Sequence, residues 1–187
     1  MKNYKIVVLF ILGLLVIGCG SDDDTSSSED LNNLDQSSYT VSGDVIANVE
    51  NGVARIINRT INLDGEVSHS LEVTFRDENG DNDITLTSNI LNTTPIEVSA
   101  GNYSIGLLGD VNNNNADFSV SFVTNTIGLV IPQSISGSIE FTTVSSNSVE
   151  GNFEFTMVGS SVIESGISIN VSNGEFNAVY NEILIEN

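Results

Sequence analysis

"GSIEFTTVSSNSVEGNFEFTMV", residues 137–158, states one phrase twice: "GSIEFTTV" (137–144) returns as "GNFEFTMV" (151–158). Each copy alternates apolar and polar residues. Phe141, Phe153 and Phe155 fall on one face, and Glu140 and Glu154 on the other. A period of two is the signature of a strand with one buried face. An echo this short does not make a solenoid, so the two copies are predicted as arms of one hairpin turning near Ser146 and Asn147. Directly opposed residues share a face, so Phe141 faces an odd-numbered partner. Pairing it with Phe153 would set Glu140 against Glu154, and like charges directly opposite destabilise a pair. Pairing it with Phe155 sets Glu140 against Thr156, and this register is the expected one.

The same alternation runs outward from the hairpin in both directions. "YTVSGDVIANV" places Tyr39, Val41, Val45, Ala47 and Val49 on one face, and "SLEVTFR" does so with Leu71, Val73 and Phe75. Ile84, Leu86 and Ile90, then Tyr103, Ile105 and Leu107, then Phe118, Val120 and Phe122, and finally Ile167, Ile169 and Val171 repeat it. Turn signals separate these runs at Glu50-Asn51-Gly52, Asp64-Gly65, Asn79-Gly80, Gly109 to Asn115, and Ser172-Asn173-Gly174. Nine to eleven short strands, each with one polar face, predict a single antiparallel β-sandwich or β-barrel over residues 39–187.

Before that domain the composition changes. Lys2 and Lys5 precede Ile6 to Ile17, a run that is apolar apart from Gly13. As a helix it would be about 18 Å long, short of the roughly 30 Å hydrocarbon core, and it suits a secretory signal better than a membrane span. Residues 19–38, "CGSDDDTSSSEDLNNLDQSS", are polar and acidic, and are expected to be a disordered tether. Removing residues 1–18 takes away both lysines and no acid. That leaves three arginines against 25 acids, a formal charge of −22. Such a surface excludes nucleic acid, whose phosphates need Lys and Arg.

Val16-Ile17-Gly18-Cys19 resembles the lipobox of bacterial lipoproteins, with Val16 where leucine is usual. The resemblance implies cleavage between Gly18 and Cys19 and a diacyl or triacyl lipid, palmitate included, on the Cys19 sulfur. Two or three acyl chains hold a protein on a membrane where one does so only marginally. Cys19 is the only cysteine, so no disulfide forms within the chain. Ser21, Asp22, Asp23 and Asp24 resemble the export tag of Bacteroidota lipoproteins sent to the outer leaflet of the outer membrane. "AGNYSI" (100–105), "ISGSIEFTTV", "VEGNFEFTMV" and "INVSNGEFNAVY" (169–180) resemble an uncharacterised family of Bacteroidota surface lipoproteins. That family carries a Gly-x-Tyr strand, a hairpin arm and a closing NGxF strand. The resemblance covers residues 100–180. It implies an all-β domain behind a lipidated cysteine and transfers no catalytic residue.

Little chemistry stands out. Asp77, Asn79, Asp81 and Asp83 set oxygen donors at alternate positions, as a hard cation such as calcium requires. An EF-type loop, however, has its glycine sixth and an acid twelfth; here Gly80 is fourth and Ser88 twelfth. Asn79-Gly80 is itself a hairpin signal, and a plain polar hairpin is the favoured reading. Asp110 to Asp117 reads as a connection. His69 is the only histidine, which leaves zinc without partners and predicts a surface or strand-start residue. Arg55 and Arg59 share a face and would clasp a carboxylate or neutralise nearby acids. Tyr39, Tyr103 and Tyr180 fall on strand patterns and are expected in the core. No Gly-x-Ser-x-Gly, Ser-x-x-Lys or Cys–His arrangement occurs, so no enzyme is expected.

The functional expectation is therefore a lipid-anchored outer-membrane protein facing the exterior. It would act as a non-catalytic binding or accessory module for an extracellular glycan or protein. The alternatives are a structural or protective surface protein and, least supported, a cell-surface hydrolase. No cofactor is expected beyond the covalent lipid, and calcium is the one ion the residue types admit.

Overall fold

Gln36 is where the alternation starts to pair. A computed structural model describes residues 35–63, 66–88, 96–107 and 116–186. Nine strands run through them: β1 (Gln36–Gly43), β2 (Ala47–Leu63), β3 (Glu66–Arg76), β4 (Asn82–Ser88), β5 (Gly101–Ile105), β6 (Phe118–Thr124), β7 (Gly128–Val144), β8 (Ser148–Ser160) and β9 (Ser165–Glu186). They form one closed barrel in the order β1, β2, β3, β4, β6, β5, β7, β8, β9, which selects the barrel over the sandwich. Closure removes sheet edges, the exposed liability of an all-β chain.

Two short strands act as wedges. β1 lies between the first parts of β2 and β9, antiparallel to both. Beyond it β2 and β9 meet directly and run parallel, Arg55 opposite Val179 through Asn62 opposite Glu186. Asp35 sits at the apex of the wedge with φ 65°. Its carbonyl accepts from the Ala54 N–H, and its Oδ1 accepts from the Val179 N–H. β5 does the same between β6 and β7: β6 pairs with Gly128 to Val130, and β5 takes over at Gly137 to Phe141.

Phe141, Phe153, Phe155 and Phe176 all point inward and are buried, as the alternation predicts, while Glu140 and Glu154 point outward. The Phe153 ring stacks on Phe75 at 3.9 Å between centroids, and Phe176 leans on both. The register of the β7–β8 hairpin differs from the expected one. Val144 faces Val149, and a bulge at Thr142 then sets Phe141 against Gly151, Ile139 against Phe153, and Gly137 against Phe155. Ring against glycine wins because the interior has no room for ring against ring. A Cβ at Gly137 would lie 2.5 Å from the Phe155 Cβ, and one at Gly151 would lie 2.7 Å from the Phe176 Cζ. The doubled phrase thus packs head to tail, each glycine beneath the other copy's phenylalanine.

Three further expectations are corrected. Glu50-Asn51-Gly52 is not a turn: it lies inside β2, where Gly52 faces Ser37 and a Cβ would approach the Ser37 Oγ to 2.6 Å. Ser172-Asn173-Gly174 is a bulge within β9, with Asn173 at φ 53°. Residues 36–38, assigned by composition to the tether, belong to β1. The turns that do hold include Asn79-Gly80, with Gly80 at φ 72°, and Ser145 to Ser148.

Candidate functional site

Four neighbouring strands bring one short pattern to the same level of the wall. Gly101-Asn102-Tyr103 of β5 faces Ile139-Glu140-Phe141 of β7. This in turn faces Gly151-Asn152-Phe153 of β8, and that faces Gly174-Glu175-Phe176 of β9. Inside, the row reads Gly101, Phe141, Gly151, Phe176, a small residue alternating with a ring. Outside, the middle residues line up as Asn102, Glu140, Asn152 and Glu175. The next outward row adds Ser138 opposite Glu154, with Asn173 raised by the β9 bulge beside it. A bulge bends its strand and re-aims side chains. Together these residues, with Phe153 and Gly174, line a groove of about 330 Å³.

The groove is polar and negative. Among the described residues, the carboxylates of Glu140, Glu154 and Glu175 make no hydrogen bond or ion pair with the protein. Both ion pairs among the described residues lie elsewhere, Arg59 with Glu72 at 2.8 Å and Arg76 with Asp83 at 2.6 Å. Glu140 and Glu175 stand two strands apart, roughly 10 Å at the backbone. No cluster of three or more His, Cys, Asp or Glu close enough to hold a metal occurs among the described residues. Carboxylates interleaved with amides at strand spacing suit an extended ligand offering ammonium or hydroxyl groups.

The residues singled out by sequence lie away from this groove. In the Asp77 to Asp83 turn the three aspartates already have protein donors, although Asp83 Oδ1 is buried without one. Asp77 Oδ1 accepts from the Asp81 N–H at 2.6 Å, and Oδ2 accepts from Asn82 Nδ2 at 2.8 Å. Asp81 accepts from Asn125 through both its side chain and its carbonyl. Asp83 Oδ2 takes the Arg76 fork, and the Asn79 side chain is exposed. Asp77 and Asp83 also act on Tyr39, whose hydroxyl donates to the Asn82 carbonyl at 3.3 Å. Burial, with those two carboxylates adding to it, pushes the Tyr39 phenol well above its usual range.

His69 is not a surface residue. It is buried inside β3, on the same face as Leu71, Val73 and Phe75, with Nδ1 2.9 Å from Thr60 Oγ1. Its odd number, shared with those three, was the available signal. Arg59 neutralises Glu72, while Arg55 is exposed on the same face of β2. Tyr39 is fully in the core, and Tyr103 and Tyr180 are half-buried against it. Asp117 ends the β5–β6 connection by accepting from the Ser104 N–H and Oγ. Gly18, Cys19, Ser21, Asp22, Asp23, Asp24 and the residues from Asp110 to Asn115 lie outside the described residues.

Sequence reasoning placed Glu140 and Glu154 on a hairpin face, and it passed over Asn102, Ser138, Asn152, Asn173 and Glu175. The signal was the glycine, polar, aromatic spacing recurring on adjacent strands. Compared with protein-family models, with curated proteins and with solved structures, the chain has no match in any of the three.

Proposed function

We propose that this chain is an outer-membrane lipoprotein, anchored through Cys19 and facing the exterior. Its barrel is a non-catalytic binding module for an extracellular glycan or protein segment. The observation that supports the reading is the groove across β5, β7, β8 and β9. It gathers Glu140, Glu154 and Glu175 with amides on either side, and the carboxylates have no protein partner. Amino sugars and lysine- or arginine-bearing peptide segments are the ligand classes this chemistry favours. An array of glycans and peptides, probed with wild type and with the triple variant Glu140→Gln, Glu154→Gln, Glu175→Gln, tests it. Retained cationic ligands should be lost in the variant; equal binding by both would sink the reading. The anchor has its own test: Cys19→Ala should abolish palmitate labelling. Replacing Asp22, Asp23 and Asp24 by alanine should keep the label and hide the barrel from protease added to whole cells.

A second reading, a structural or protective surface protein, draws support from the interior. The barrel is filled by aromatic and aliphatic side chains from all nine strands rather than shaped around a ligand. A groove variant that keeps every phenotype of the wild-type cell would favour it.

A further inference from the structure

We propose that the charge-free sector of the wall formed by β6, β7 and β8 is the face through which two copies of this chain pair. Residues 118–139 contain no charged side chain, and neither do residues 155–163, in a chain whose net charge is −20. This sector also carries most of the exposed large apolar side chains: Val162 at 98%, Ile163 at 71%, Ile131 at 62%, Leu129 at 48%, and Val123 and Val158 at 40% each. They are contiguous. Val123 faces Leu129 across β6 and β7. Ile131 shares the outward face of β7 with Leu129 and opposes Ser160. Val158 lies two residues from Ser160 on the same face of β8, and Val162 and Ile163 cap the β8–β9 turn just beyond. Apolar surface gathered in this way marks an interaction site, whereas scattered single residues do not.

Charge placement selects the occupant. A two-fold pairing sets each patch against its own copy. Over the groove that would oppose carboxylate to carboxylate, at a cost of several kcal/mol for like charges. Over the β6–β8 sector it opposes aliphatic to aliphatic and leaves the acids of both copies at the rim, where Glu164 follows Ile163 and Asp83, held by Arg76, faces Val123. A charged partner, basic or acidic, gains nothing from a face without charge. The patch spreads over the sides of three paired strands as well as a hairpin tip, so it fits another sheet face at about 10 Å better than a bilayer met end-on.

Residues 32–187 suffice for the test. They form one compact unit, and among the described residues its buried core runs from Tyr39 to Ala178. Sedimentation velocity across the micromolar range should show a reversible monomer–dimer equilibrium. Added sodium chloride should tighten it, because salt screens the repulsion between two acidic copies. Ile131→Asp and Ile131→Lys should each weaken the dimer about 100-fold or more, since either buries a charge in the contact. Both should leave the melting temperature of the monomer unchanged, because Ile131 is exposed there. A monomer at every concentration and salt would overturn the proposal, as would a dimer indifferent to both variants. So would a monomer that floats with phosphatidylcholine vesicles and loses that behaviour in Ile131→Asp, which would give the patch to lipid.

Discussion

The Asp77 to Asp83 turn and the groove of Glu140, Glu154 and Glu175 have similar chemistry on paper. Both crowd carboxylates and asparagines into a small space, and neither holds a cationic side chain beyond Arg76. They differ in where their hydrogen bonds go. In the turn, the Asp81 N–H, two asparagine amides and the Arg76 guanidinium are directed at the acids. The carboxylates there hold the chain in shape. In the groove no donor among the described residues reaches the acids, and the glycine and ring pattern on the inner side of the wall holds the shape instead. Acids that build structure are satisfied from within. Acids left facing outward without partners add nothing to the fold, and they remain free to meet something else.

The largest effect should come from breaking the groove's scaffold on its inner side. At Gly151 a Cβ would run into the Glu140 carbonyl and stand 2.7 Å from the Phe176 Cζ. Gly151→Ala should cost about 3 kcal/mol, read as a fall in the denaturant midpoint. Breaking the turn should cost less. Asp77→Ala removes the bonds to the Asp81 N–H and to the buried Asn82 amide, and about 2 kcal/mol should be lost.

A finer measure of the turn is its grip on Tyr39. In the unfolded chain the phenol releases its proton near pH 10, as model tyrosines do. In the fold it does not, because burial and then Asp77 and Asp83 raise its pKa. Stability is therefore unaffected by this group below pH 10. Above it, stability falls by about 1.4 kcal/mol per pH unit until the folded phenol also ionises. Tyr39→Phe should remove that alkaline slope, and Asp77→Asn should end it at a lower pH. The smallest effect belongs to the groove's own acids. With no internal bond to lose, the triple Glu→Gln variant should shift stability by only a few tenths of a kcal/mol, upward, as repulsion is relieved. Calcium should stabilise the barrel no more than sodium does at equal ionic strength, and Asp81→Ala should not alter that. A calcium-specific rise in melting temperature lost in Asp81→Ala would move the turn into the class of ligand sites.

Much of the fold was legible because a strand with one buried side writes its position into residue parity. Tyr39, Phe75, Phe122, Phe155 and Ile169 all face inward where alternation puts them. Parity also held the answer for His69, which was read by residue type instead. Register was harder. Opposing charges were weighed at Glu140 and Glu154, but the deciding term was volume inside the barrel, where Phe141, Phe155 and Phe176 each have a glycine across from them. The glycines at Gly52 and Gly174 misled for the same reason. They read as turns, yet they sit within strands because another residue occupies the space of their side chains. The groove was the least legible part. An outward Asn or Glu on a half-buried strand looks the same whether it faces only water or stands in register with three others, and that register is set across four strands by the bulges in β7 and β9.

The wedge at the start of the barrel has a mechanical consequence. Tension applied at Asp35 enters the domain through β1. That strand is bonded along both sides, to β2 and to β9, and Asp35 adds a bond to each at the apex. Antiparallel ladder bonds lie across the strands, so a pull along β1 loads both ladders at once, in shear, and does not open them one bond after another. A pull at this end of the barrel must therefore break many bonds together rather than in turn.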